Sequence, residues 1–237
     1  MTTIHLHEVM DTAPGLEEPY MASVLSLEDD QVSRNIAEGL DERWKRPSTS
    51  RFRTTDVSGR WPKVVNLADE GSFETLMGSL RRQFSGAGLA ADMEDWWQRN
   101  TSLRTHGYDR LLIPSSFTPS RAELVEQGLK GRVFLHEFVR VPWGETQSYM
   151  SALERDFLPV ASRYQWMLFG AYTIAMDPRE ILTVFFMREW VHMANLLGAR
   201  ESDADVKRWF DFREQTIDES EEMVLMPGHN NDLFVWG

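Results

Sequence analysis

The chain has 237 residues, 42% of them hydrophobic, and a formal charge of −12, which gives length for one large core or two small ones. That acidity argues against a phosphate-backbone partner, whose affinity comes from clustered Lys and Arg, and Lys45-Arg46 and Arg81-Arg82 are too sparse to change it. With no cysteine, disulfides, thiolate metal sites and Cys nucleophiles are excluded. No apolar run approaches a membrane span and no signal segment precedes the first strand pattern, so the expectation is a soluble, cytoplasmic protein. The surplus Asp and Glu read as a solvated surface. Nine Trp and twelve Met either fill a core or line a pocket for a flat, apolar ligand.

In chain order, Ile4-His5-Leu6-His7-Glu8-Val9 alternates as a strand does, and Gly15 precedes a first helix carrying Tyr20 and Met21. The polar stretch 26–50 reads as an extension of that helix plus a loop ending in Arg46-Pro47-Ser48-Thr49-Ser50. Strands follow at 51–57 and 62–68, with a last one at 109–113. Residues 115–132 form a connector in which Ser120 caps a short helix and Gly128 and Gly131 end it. Then the pattern returns. Val133-Phe134-Leu135-His136-Glu137-Phe138 repeats the opening strand at an offset of 129 (136 − 7), which also carries Gly15 to Gly144, Tyr20 to Tyr149 and Met21 to Met150. A helix runs from Glu145 past Val160 with a kink or last turn at Pro159, and strands at 166–176 and 181–188 flank an expected Asp177-Pro178 turn. Helices at Trp190–Leu197 and 203–219 precede a final strand at 221–226. Val64-Val65-Asn66-Leu67 matches Val184-Phe185-Phe186-Met187 at an offset of 120 (184 − 64), and Leu111-Leu112-Ile113-Pro114 matches Val224-Leu225-Met226-Pro227 at 113 (224 − 111).

Each half therefore reads βαββαβ, the ferredoxin-like split fold, whose sheet carries helices on one face and must bury the other. The expected organisation is a first repeat at 1–114, a linker at 115–132 and a second repeat at 133–237. The opening strand motif, the glycine before helix one and the apolar third strand followed by a helix resemble the dimeric α/β barrel superfamily, most closely its NIPSNAP branch. The resemblance covers nearly all of the chain. It implies an α+β fold in which two ferredoxin-like repeats form a pseudo-dimeric α/β barrel, with a ligand cavity between the sheets. Related barrels include cofactor-free cyclases, isomerases and monooxygenases that use interior His, Tyr or Trp.

Strand alternation sorts the repeated motif: Ile4, Leu6, Val133 and Leu135 suit packing under helices, while His5, His7, Val9, Phe134, His136 and Phe138 face the other way, into the barrel. The expected catalytic set is His7, His136 and Tyr149. A neutral imidazole in an apolar cavity can take and give a proton near neutral pH, as proton abstraction beside a carbonyl requires, and Tyr149 would orient the substrate. His5, Tyr20, Phe134, Phe138, Trp166, Tyr172 and Arg188 are expected to bind substrate, Arg188 through a carboxylate. Each has a plain structural alternative: a strand histidine bonded to a carbonyl, a core aromatic, a surface ion pair. Glu8 and Glu137 lie on the aliphatic face and read as exposed or paired with Arg140 and its neighbours.

The leading function is a cofactor-independent lyase, isomerase or cyclase acting on a hydrophobic small molecule, with no cofactor, no metal, no nucleic acid or membrane partner, and the option of a homo-oligomer. A non-catalytic binding or scaffold protein is the alternative. His5 and His7 with His106 or a carboxylate would make a metal set. Heme is the further option, since the resemblance extends to chlorite dismutase-like and dye-decolorising peroxidase-like barrels; only His192 sits where a helix ligand would be needed.

Overall fold

The computed structural model describes residues 3–26, 48–55, 60–85, 88–89, 91–228 and 233–234. They divide into two units, one reaching Leu111 and one running from Leu112 onward. Most of the polar stretch at 26–50 lies outside the described residues.

The first unit contains β1 (Thr3–Thr12), α1 (17–26), β2 (Ser48–Thr54), β3 (Lys63–Ser72), α2 (Phe73–Gln83), a small hairpin of β4 (Phe84–Ser85) and β5 (Gly88–Leu89), α3 (Ala91–Thr101) and β6 (Arg104–Pro114). Its sheet order is β6-β1-β3-β2, with β3 antiparallel to both β1 and β2. Strand four beside one, one beside three and three beside two is the split βαβ arrangement. The last strand begins five residues before its expected start. Ser72 caps α2 by accepting from the Thr75 N–H. Tyr20 and Met21 of α1 pack on Met10 and Val64, so the even-numbered residues of β1 face the helices.

The second unit repeats this plan. A capping box of Ser120 and Glu123 starts α4 (Arg121–Glu126). Then come β7 (Val133–Arg140), α5 (Thr146–Ala152), α6 (Leu158–Arg163), β8 (Met167–Ile174), β9 (Asp177–Met187), α7 (Trp190–Gly198), α8 (Ala204–Thr216) and β10 (Glu219–Pro227). The order β10-β7-β9-β8 is again four, one, three, two. The final residues of β6, Leu112 to Pro114, already belong to this unit and pair with β8. A π-turn at Leu153–Phe157 joins α5 to α6, and the Leu158 N–H reaches back to Leu153. Pro159, which lacks an N–H, stands at the start of α6, consistent with the expected kink.

Two expectations are corrected. The hairpin between β8 and β9 turns at Ala175-Met176, and Asp177 and Pro178 already belong to β9. Strand register also sets the third-strand correspondence differently. His7 pairs with Leu67 and His136 with Val184, an offset of 117 (184 − 67), so Asn66 corresponds to Thr183. The second unit's core lies between sheet and helices, where Val133, Val139, Phe185, Tyr149, Trp166 and Trp209 are buried together.

Candidate functional site

In the second unit, β7 presents Phe134, His136 and Phe138 on the face opposite that core. His136 is 1% exposed, and its ring lies edge-on to Phe138 with centroids 4.9 Å apart. The row through His136 runs Met223, His136, Val184, Gly170 across β10, β7, β9 and β8. The next row holds Phe138, Leu182 and Tyr172. Gly170 is essential to this face: a Cβ there would stand 2.2 Å from the Tyr172 hydroxyl, so the buried phenol lies back over the glycine toward the histidine's row. Phe134 packs against Phe186, Phe169 and Phe234 at 5.9, 5.8 and 5.2 Å, completing an aromatic wall. Phe134, His136, Phe138 and Tyr172 thus share one face, as strand alternation requires.

In the first unit His5 and His7 share the equivalent face of β1. His7 is fully buried, its ring 6.5 Å from that of Tyr108. His5 pairs with Asp69 in the ladder. Burial lowers its pKa, and the Asp69 charge works in the opposite direction.

Tyr149 and Trp166 do not join His136. Both lie on the helix side of the second sheet: Tyr149 packs against Trp209 and Phe212, and Trp166 against Phe185 while donating to the His192 carbonyl at 2.9 Å. A residue facing the helices cannot touch a substrate held on the opposite sheet face. Tyr20 has the same position in the first unit, among Met10, Met21 and Val64. Arg188 is solvent-exposed just past the end of β9.

The expectation for Glu137 is also overturned. It is 6% exposed, and its partner is Arg213 of α8, not Arg140, which pairs with Asp177 and Glu180. Thr183 donates to the second carboxylate oxygen at 3.1 Å, and Arg213 also reaches Glu222 at 3.4 Å. Burial pushes the Glu137 pKa up to about 7 against the pull of Arg213, with Glu222 adding to the rise. Burial, aided by Glu137, raises the Tyr149 hydroxyl well above its ordinary value. The first unit holds a counterpart. Asn66 donates to Glu8 at 3.1 Å; burial and the Asp109 charge raise Glu8, while Asn66, Arg104 and Arg51 oppose the rise. Tyr20 is pushed up to about 12 by burial and by Glu8. Sequence reasoning missed Arg213, although a signal was present: it falls four residues after Trp209 on the buried stripe of α8 with Val206, a charged side chain on an apolar face.

Among the described residues no three His, Cys, Asp or Glu side chains gather as metal ligands. His106 is exposed. His192 borders an open cleft lined by Arg163, Tyr164, Gln165, Asn195 and Ser202 together with Ala194, Gly198 and Ala199. No helix among the described residues is long and apolar enough to cross a membrane.

No family model and no curated protein matches the sequence. Solved structures do. A proposed monooxygenase from Lactobacillus acidophilus NCFM is 10% identical, with 97% of this chain aligned to 95% of that one at a TM-score of 0.60. An anthrone oxidase-like protein is 8% identical, with 100% of this chain and 97% of that one aligned at 0.60. A NIPSNAP domain protein from Burkholderia xenovorans, 14% identical, aligns 93% of its length to 40% of this chain at 0.36. The two full-length likenesses show the fold: α+β, of the dimeric α/β barrel type, with both ferredoxin-like repeats in one chain. At these identities they carry no chemistry across.

Proposed function

We propose that the protein is a cofactor-independent enzyme, a lyase, isomerase or cyclase, that acts on a hydrophobic small molecule by histidine acid and base chemistry. The observation that supports this most is the setting of His136: a buried imidazole in an aromatic wall, with the Tyr172 hydroxyl laid over Gly170 on the same face. A neutral imidazole there can accept a proton from a carbon beside a carbonyl and return it, while a phenol on that face can hydrogen-bond the oxygen that gains charge. Phe134 and Phe138, on the same face, are the proposed contacts to the apolar body of the substrate, and His7, buried on the equivalent face of the first unit with His5 on the same face, is proposed as that unit's own proton carrier. Proton removal beside a carbonyl is also how a flat ketone begins to react with dioxygen without a cofactor. The oxygenase activities named for similar folds are therefore compatible with the same residues.

Anthrone provides the assay. Exchange of its acidic methylene hydrogens in D2O buffer under nitrogen, followed by NMR, reads the proton step alone. The wild type is expected to speed exchange, and His136→Gln to slow it by roughly two to four orders of magnitude at unchanged Tm. A His136→Gln protein that melts early yet exchanges as fast as wild type would assign His136 to structure instead. A wild type no faster than buffer would remove the proposal for flat ketones.

A further inference from the structure

On the helix side of the second sheet, α7 turns Leu196 and Met193 toward the core, and none of its nine residues is charged. A helix between core and solvent is ordinarily polar on its outer face. The next helix, α8, follows that rule, with Lys207, Arg208, Asp211 and Glu214 exposed. So does the sequence of α2, which follows β3 as α7 follows β9 and carries Glu74, Arg81 and Arg82. The outer face of α7 is instead a continuous apolar stripe. At 3.6 residues per turn, Trp190, Ala194 and Gly198 run along its middle, with Val191 and Leu197 on either side. All five are exposed, Trp190 by 40%, Val191 by 55% and Leu197 by 43%. Of the exposed residues of α7 only Asn195 is polar.

The stripe is complementary to itself. A twofold axis at Ala194 would lay a second α7 antiparallel on the first, with residues equally distant from the axis at the same height. Trp190 then stands beside the partner's Gly198, each four positions from Ala194, and Val191 beside the partner's Leu197, each three positions away. The sizes agree. A Cβ on Gly198 would meet nothing within 4 Å, which leaves open space for an indole, and a small residue on the axis lets two helices approach closely. The charges agree as well, because the same pairing brings Arg188 to the partner's Glu201 on both sides of the axis. Their neighbours Glu189 and Arg200 are engaged within the chain, with Arg132 at 3.8 Å and Glu214 at 3.4 Å. Arg188 and Glu201 make no ion pair among the described residues. An anionic membrane is a poor alternative cover for a chain of charge −12.

We infer that the outer face of α7 is an interface with a second copy of this chain, packed as an antiparallel helix pair about a twofold axis at Ala194. It lies on the opposite sheet face from His136 and does not depend on the proposed catalytic reading. A helix of this length is about 14 Å long, a small patch, so the dimer is weak, with a dissociation constant of roughly 10–100 μM.

Sedimentation velocity of the full chain from about 1 μM to 1 mM reads this association. The wild type is expected to pass from monomer to dimer across that range. Ala194→Arg, which puts a charge on the axis from an exposed position, should stay monomeric at unchanged Tm. Arg188→Glu and Glu201→Arg should each weaken the dimer about tenfold, since two symmetry-related ion pairs become repulsions, and the double variant should restore it. The chain has no cysteine, so Ala194→Cys supplies one thiol per copy at the axis. With oxidised glutathione it should cross-link about tenfold faster than Met176→Cys, whose thiol sits in the exposed β8–β9 turn. A wild type monomeric throughout, a dimer that survives Ala194→Arg, a double charge variant no tighter than the single ones, or equal cross-linking rates would each overturn the inference. Co-sedimentation of the wild type, but not of Ala194→Arg, with phosphatidylcholine vesicles would also overturn it and assign the face to a lipid surface.

Discussion

The two units bury the same polar group in the same place and neutralise it by different routes. Glu8 and Glu137 occupy equivalent positions of β1 and β7, each beneath a tyrosine of the first helix and each bonded to the third strand, by Asn66 in one case and Thr183 in the other. The cation differs in origin. Arg213 comes from the buried stripe of α8 and pairs directly with Glu137. Arg104 comes from the first residue of β6, where it stacks on Trp97 at 4.4 Å and donates to the Met10 thioether at 3.2 Å. A buried carboxylate needs a cation nearby, but the fold does not prescribe which element supplies it.

Removing the cations should give the largest contrast. Arg213→Met leaves Glu137 without its direct ion-pair partner and is expected to cost about 3–5 kcal/mol in denaturant unfolding at pH 8, with Arg104→Met costing roughly half as much. Equal costs would mean that the two networks are energetically alike despite their geometry.

The pH dependence comes next. The folded Glu137 holds its proton to about pH 7, whereas the unfolded chain releases it near the ordinary value of 4.5. The folded state thus binds more protons between those values, and stability falls as pH rises through that window before levelling off. Relative to Glu137→Gln, the wild type should lose up to about 3 kcal/mol between pH 4.5 and pH 7. Glu8→Gln should show a difference of the same sign, beginning at the same low-pH end. A wild type and Glu137→Gln whose stability curves stay parallel would show that Glu137 ionises normally.

The smallest effects belong to the neutral donors. Thr183→Val and Asn66→Leu should each cost about 1–2 kcal/mol, more above pH 7 than below pH 5 because the bond favours the charged carboxylate. A Thr183→Val cost independent of pH would place that hydroxyl's value in packing.

Much of this was legible in the sequence. The opening motif and its offset of 129 gave both first strands, and period-2 alternation placed Phe134, His136 and Phe138 on one face. The third strand was less readable, because Ile181 to Met187 is buried on both faces and an apolar run of that kind does not mark its own register. Pairing with β7 had to supply it. The suggested Glu137–Arg140 pair fails on geometry available from the start, since residues three apart on a strand point to opposite faces. Arg213, 76 residues beyond Glu137 (213 − 137), is brought to it only by the packing of α8 on the sheet. Tyr149 and Trp166 fall to the core alternative that the sequence also offered: Tyr149 sits on a helix packed on the sheet, and for Trp166 aromatic composition marks a wall without saying which side of the sheet it lines.

Phe234 gives the aromatic wall a vulnerable member. It is held by a parallel bridge to Gly131, whose N–H bonds the Leu233 carbonyl at 2.9 Å, and its 1%-exposed ring sits against Phe134 and Phe169. A protein shortened before Leu233 would keep every strand and helix described above and still lose one panel of that wall, so a far-ultraviolet spectrum would pass it as intact while its near-ultraviolet aromatic signal and its surface stickiness changed.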